Sequence, residues 1–264
     1  MYMSNIDIIL KNIHEIIVPP LQKLFEEHNV SKDHDISHAL LVLNNCKNAI
    51  LESKEKYSEE NIRNMLLAAI LHDADDHKLF ATKNNENLRK IMKDAGYSKD
   101  TITKVVEMVE LVSSSKNGDK LPKSKKDYYK VIPRYSDRLE AIGIIGVART
   151  FSYTIHKNQP LFRFDTARPT TLEEIDMVAT IERYNSYKGS SKSMIDHFYD
   201  KLIRVCDFPI SNPFFDRITK ERKNKLLDFI LLFGNQGKIS IDDCKNYIKL
   251  HNPEIYYELQ LYKL

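Results

Sequence analysis

Three segments of this chain place imidazoles and carboxylates where a metal ion could use them. The first, "DHDISHALLV", carries His34, Asp35 and His38. The second, "LLAAILHDADDHKLF", is an apolar run that ends abruptly in His72, Asp73, Asp75, Asp76, His77 and Lys78. The third, "RYSDRLEAIGIIGVART", sets Asp137 before a stretch rich in small residues. Met65 to Leu71 is nearly continuous apolar sequence, so its helix must be buried on most sides. Charges appended to a buried helix are costly unless something compensates them. A divalent cation does so directly, by neutralising carboxylates and taking an imidazole lone pair. Taken alone, the segment reads equally well as a polar helix end emerging into solvent.

The elements that carry these residues favour the metal. "SHALLVLNNCKNAI" reads as a second buried helix, beginning at His38. Asp137 is expected to open a third, whose Gly143 and Gly146 permit a neighbouring helix to approach closely. Helices with donors at their ends, packed in one bundle, can bring His38, His72, Asp73 and Asp137 to a single ion. Two imidazoles and two carboxylates leave two octahedral positions open for water and a phosphate oxygen. Such a set suits Mn²⁺, Mg²⁺ or Fe²⁺ better than a structural zinc, with Co²⁺ or Ni²⁺ also acceptable.

Helical periodicity dominates the rest of the chain. Ile6, Ile9, Leu10, Ile13, Ile17, Leu21, Leu24 and Phe25 fall on one side of a helix over 5–28, in which Pro19-Pro20 forces a kink or break. Further helices are expected over about 37–53, 58–71, 84–95, 98–113, 137–157, 172–187, 191–206, 213–233 and 240–261. Ser58 reads as an N-cap followed by Glu59 and Glu60, which suit the positive end of the helix dipole. Thr171 with Glu174, and Ser240 with Asp243, have capping-box spacing. Two stretches, 114–133 and 158–171, read as long loops that could wall or cover a site. No strand-like alternation is long enough to build a sheet. The expected architecture is one all-α domain, a helical bundle with its core over about 20–160 and additional C-terminal helices over about 172–264.

Composition sets bounds. The 264 residues are 42% hydrophobic and 29% charged, which suits one large core with a soluble surface. Only 7 glycines argue against a Rossmann or all-β reading. A formal charge of +3 is too balanced for a duplex nucleic-acid binder, and no specific nucleic-acid partner is expected. The basic stretch from Lys116 to Lys130 is either a solvated loop or an arm that attracts a phosphorylated substrate. Cys46, Cys206 and Cys244 are too few and too scattered for a disulfide framework, and buried reduced thiols are expected. The N-terminus reads as an amphipathic helix, not a signal peptide, and no apolar run approaches the ~18 residues of a membrane span. A cytoplasmic protein is therefore expected.

The ordered pattern H…HD…D resembles the HD-domain superfamily of metal-dependent phosphohydrolases. His38, His72, Asp73 and Asp137 match its four metal ligands, and Asp-x-x-His upstream with "SDRLEAIG" downstream strengthens the match. "SDRLEAIGIIGVARTFSY" and "SMIDHFYDKLIRV" are similar to two segments of a subfamily of small bacterial-type HD hydrolases, some of them nucleotide pyrophosphohydrolases. The likeness covers roughly residues 20–235. Leu41-Val42 departs from the subfamily's usual Arg-Val, and Asp76 stands where related nucleotidases often carry Glu.

That resemblance implies the HD-domain fold, one divalent metal ion and a phosphorylated small-molecule substrate. The specific expectation is hydrolysis of a nucleoside triphosphate to monophosphate and pyrophosphate by metal-activated water. A 5′-nucleotidase or phosphodiesterase could use the same centre, and a non-catalytic nucleotide-binding module is the alternative of another class. Asp76 either orients the attacking water or caps a helix, and Lys78 either meets phosphate or is a surface lysine. His34 could protonate a leaving group or bind phosphate, or it is a hydrogen-bonded loop histidine. Arg138, Arg149, His197, Tyr199 and Lys201 are the candidate substrate contacts; the two arginines read alternatively as salt-bridge partners for carboxylates such as Glu140, and the other three as part of an ordinary amphipathic helix. His197 and Lys201, at i and i+4, share a helix face.

Overall fold

A hydrophobic stripe at the N-terminus opens the first unit. In the computed structural model, which describes residues 2–30, 34–77, 79–113 and 120–264, all regular elements among those residues are helical. Helix α1 (Tyr2–Asn12) passes through a π-helical turn, Ile13–Ile17, into α2 (Val18–Glu27). The two prolines remove backbone donors, and the wider turn ahead of them absorbs the mismatch without ending the helix. Ile6, Ile9, Ile13, Ile17, Leu21 and Phe25 are buried along one side.

The chain forms two compact units, 1–137 with 210–215, and 138–209 with 216–264. In the first, α3 (Ile36–Leu51) is capped by the Asp35 carboxylate, which accepts from the Ser37 and His38 backbone amides. Helix α4 (Glu59–Leu71) is capped by Ser58, and every residue from Asn64 to Leu71 is buried. It packs against α1, α3 and α6 (Lys99–Val112), while α5 (Glu86–Asp94) lies against α6. The segment 210–215 returns to this unit, where Asn212 Nδ2 donates to Ala49 O at 2.8 Å.

One expected boundary is corrected. Asp137 does not open a helix; it sits in the last turn of α7 (Ile132–Leu139). Proline is tolerated in a helix's first turn, so Pro133 lets α7 start at Ile132. A seven-residue 3-10 helix, Lys125–Val131, fills part of the expected loop 114–133. The expected helix 137–157 is broken at Gly143, whose φ of +73° favours glycine and which begins α8 (Gly143–His156).

The second unit contains α8, α9 (Leu172–Val178), α10 (Ile181–Ser186), a helical run from Met194 to Val205 with a π turn at Phe198–Leu202, and the later part of Pro213–Gln236. It ends with Ile241–His251, Pro253–Glu258 and a short 3-10 turn, Leu261–Lys263. The expected helix 172–187 divides because Thr180 caps α10. Ser240 and Asp243 form a complete capping box. At the other expected box, Thr171 accepts from Glu174 N, but the Glu174 carboxylate takes the Thr170 amide instead. Loop 158–171 is fastened by Arg168, which donates to the carbonyls of Phe164, Thr166 and Gly237 and stacks over Phe162 and Phe233. Gly234 admits this loop: a Cβ there would lie 1.8 Å from Pro169 O.

All three cysteines are free and buried, and burial pushes the Cys206 and Cys244 thiols up to about 12. Among the described residues, no helix is long and apolar enough to cross a membrane.

Candidate metal centre

The C-terminal end of α4 delivers the first donor. His72 occupies its C-cap, and its Nδ1 lies 2.8 Å from Ala69 O. A carbonyl only accepts, so Nδ1 carries the proton and the Nε2 lone pair points away from the helix. Asp73 follows in the turn, buried to 6% exposure. From α3, the Asp35 cap fixes the first turn and sets His38 against the same spot. From α7, Asn45 Nδ2 donates to Ser136 O at 3.1 Å, tying the residue before Asp137 to α3.

These four side chains meet. His38 Nε2 is 3.3 Å from His72 Nε2, 3.2 Å from Asp137 Oδ1 and 3.8 Å from Asp73 Oδ2. His72 Nε2 is 3.3 Å from Asp73 Oδ2 and 3.6 Å from Asp137 Oδ1. Neighbouring donors around an ion with ~2.1 Å bonds stand roughly 3.0 Å apart in an octahedron and roughly 3.4 Å apart in a tetrahedron. The spacings of 3.2, 3.3 and 3.3 Å fall within that range and those of 3.6 and 3.8 Å lie above it, and two imidazoles with two carboxylates match a hard or borderline divalent ion. His38, His72 and Asp73 are buried, whereas the Asp137 side chain keeps 31% exposure and leaves the cluster a wet side.

Electrostatics agree with the geometry. Burial alone would raise the Asp73 and Asp137 carboxyls. Their histidine neighbours outweigh it and hold both well below the usual carboxylate range. Burial alone would lower His72, but Asp73 and Asp137 raise it well above its ordinary value. This is a concentration of negative charge balanced by imidazoles, which a cation could replace as the balancing charge.

The other expected residues divide. His34 Nδ1 lies 2.8 Å from Asp73 Oδ2, and with His38 and Asp73 it forms a second possible donor group. Asp76 sits in the turn after Asp73, its amide donating to Asp73 O at 3.2 Å and its carboxylate 3.7 Å from His77 Nδ1. Lys78 lies outside the described residues, as do 116–119 of the basic stretch. Arg138, Arg149, His197, Tyr199 and Lys201 belong to the second unit. Arg149 donates to Glu140 O at 3.1 Å, and the buried Tyr199 hydroxyl donates to Ala167 O at 2.9 Å. His197 and Lys201 do share a face, since both meet the Tyr187 ring, at 5.5 and 5.6 Å. Burial and nearby Lys201 depress His197 to about 4.

Two structural roles were hidden in the motifs. Asp75 accepts from Thr82 Oγ1, Asn87 N and Leu88 N at 2.6, 3.0 and 2.9 Å. It thereby caps α5 from a distance, because Asn85 at the cap position makes no such bond. Glu140 of "SDRLEAIG" is buried and paired with Arg222 at 3.1 Å. No sequence signal marks either partner, since neither bond is local.

No family model matches the chain. It is 31% identical over 245 residues to an uncharacterized protein, L803, of Acanthamoeba polyphaga mimivirus, a match covering 85% of this chain and 96% of that protein. Among solved structures, an HD-superfamily hydrolase from Bacillus thuringiensis matches with a TM-score of 0.57 at 17% identity, covering 88% of this chain and 98% of that one. Bacillus subtilis YpgQ gives 0.56 at 19%, covering 94% and 98%, and the Lin1889 protein of Listeria innocua 0.57 at 23%, covering 86% and 98%. The architecture is the all-α HD-superfamily fold.

Proposed function

The chain belongs to one family with the mimivirus protein L803, and from that premise, joined to the HD-superfamily fold, we propose that it is a metal-dependent phosphohydrolase acting on nucleotides. The observation that carries the reading is the spacing of His38, His72, Asp73 and Asp137, each donor 3.2–3.8 Å from its neighbours across three segments of the chain. When bound there, a divalent cation supplies Lewis-acid polarisation of a phosphate oxygen and acidifies a coordinated water. The residues do the rest. His72 is held in the tautomer that offers Nε2, and His34 fixes the orientation of Asp73. Asp76, two residues beyond the buried turn at Ala74, is the group proposed to take the proton of the attacking water.

The specific reaction proposed is nucleoside triphosphate to monophosphate plus pyrophosphate, with Mn²⁺ or Mg²⁺ as the ion. The test is to load the protein with Mn²⁺, Mg²⁺, Co²⁺ or Ni²⁺ in turn, supply nucleoside tri- and monophosphates, and quantify pyrophosphate and orthophosphate separately. Pyrophosphate from triphosphates supports the proposal. Orthophosphate from monophosphates replaces it with a nucleotidase. A protein that binds one ion per chain yet turns over none of these substrates removes it.

A further inference from the structure

The second unit holds a polar cleft of about 500 Å³ that the reading above does not use, within the size range of small-molecule sites. Its wall is built around Arg183. The Arg183 Nε donates to Asp200 Oδ1 at 2.5 Å, its Nη2 donates to Asp196 Oδ1 at 2.9 Å, and the guanidinium lies 5.2 Å over the Tyr199 ring. Asp196 is itself buried and fixed, its other oxygen accepting from Ser193 Oγ at 2.7 Å and Thr166 Oγ1 at 3.0 Å. The arginine is therefore held at two edges, and among the described residues no hydrogen bond engages its Nη1.

The mouth of the cleft adds further donors. Lys188 makes no ion pair and Ser190 no hydrogen bond among the described residues, and both line the cleft. Among the described residues, Lys192 pairs only with Asp165, at 3.5 Å, with the lysine 73% and the aspartate 40% exposed. An exposed pair of that kind contributes little and can yield to a ligand. The lining sets three cations, Arg183, Lys188 and Lys192, against three carboxylates, Asp165, Asp196 and Asp200. With Asp196 and Asp200 engaged by Arg183, the two lysines, the hydroxyl and Arg183 Nη1 suit a group that has several acceptor oxygens at once, as a phosphate monoester does. The cleft also offers acceptors, since Asp200 spends one carboxylate oxygen on Arg183 and no hydrogen bond engages the other among the described residues. An acceptor beside an anion subsite calls for a hydrogen-bond donor on the same ligand.

We propose that the cleft lined by Arg183, Tyr187, Lys188, Ser190, Lys192 and Asp200 binds a phosphate-bearing, hydroxyl-rich small molecule, the chemistry shared by sugar phosphates and nucleotides. Lys188, Lys192 and Ser190 hold the phosphate, Arg183 Nη1 braces it, and Asp200 accepts from a sugar hydroxyl. The site lies wholly within the second unit, and the proposal is independent of turnover at the metal centre.

The experiment uses the full chain stripped of divalent ions with a chelator, so that no metal-held substrate contributes. Amide chemical shifts of residues 183–192 are followed as ribose, inorganic phosphate, ribose 5-phosphate and adenosine 5′-monophosphate are added in separate titrations. Saturable shifts with ribose 5-phosphate are expected, with inorganic phosphate binding more weakly at the same residues and ribose at least about tenfold more weakly. Tighter binding of the nucleotide than of ribose 5-phosphate identifies a nucleotide site; equal binding identifies a sugar-phosphate site. Lys188→Ala and Lys192→Ala should each weaken ribose 5-phosphate by about tenfold, with the thermal midpoint unchanged because both side chains are exposed. Shifts that never saturate, or saturable binding that ignores both substitutions, overturn the proposal.

Discussion

His34 Nδ1 stands 2.8 Å from Asp73 Oδ2, so the residue just before the Asp35 cap of α3 is bonded to the residue just after the His72 C-cap of α4. The bond is shorter than any spacing among the four principal donors, and it fixes which way the Asp73 carboxylate faces. Groups that orient a ligand in this way commonly tune metal affinity by about 10- to 100-fold. His34→Ala is expected to weaken Mn²⁺ binding by that order in a chelator-competition titration. An unchanged affinity would show that the bond has no such role.

Asp73→Ala and Asp137→Ala each remove one of two carboxylates from a set of four donors. Both are expected to abolish measurable metal binding and hydrolysis. The helical circular dichroism should survive, because α3, α4 and α7 are held by apolar packing and by backbone bonds. Retained stoichiometric metal in either variant would remove the proposed centre.

Asp75, beside the cluster, should behave differently. It satisfies two backbone donors at the start of α5 and one hydroxyl, so Asp75→Ala is expected to cost about 1–2 kcal/mol in urea unfolding. Metal affinity should change far less than for Asp73→Ala. A stability within ~0.5 kcal/mol of the parent would mean that α5 does not depend on this cap.

Gly234→Ala places a methyl group 1.8 Å from Pro169 O, where backbone must move to make room. A loss of about 1–3 kcal/mol is expected, read as a lowered thermal midpoint. Gly189→Ala is the control for strain without crowding, since a Cβ there meets nothing within 4 Å although φ is +92°.

His197 gives a pH dependence of defined sign. Its folded pKa, about 4, lies below its ordinary 6.5, so the unfolded chain binds the proton more readily. The stability it contributes is complete above pH 6.5 and declines as the pH falls toward 4. Urea unfolding of the parent should weaken across that window, and His197→Asn should show a flatter decline. Parallel profiles for the two proteins would remove His197 as the cause.

Much of the fold was legible because helix signals are local. Ser58, Ser98 and Ser240 accept from the amide three residues on, and Asp35 from those two and three residues on, all within reach of neighbours in sequence. The apolar run from Met65 to Leu71 also declared a buried helix, and His72-Asp73 at its end marked where buried charge would need compensation. What the sequence could not supply were bonds made across the chain. Asp75 looks like another member of an acidic run, yet its partners lie up to 13 residues away. Glu140 finds Arg222 across 82 residues. Asp137 was placed at the head of a helix and instead ends one, because Pro133 permits an earlier start and Gly143 imposes a break. Residue types and their order thus determined an all-α chain with candidate donors near helix ends. Only the packing of α3, α4 and α7 decided that His38 and His72 stand within 3.8 Å of each other and of both carboxylates, since the spacing between side chains on different helices is set by the core between them.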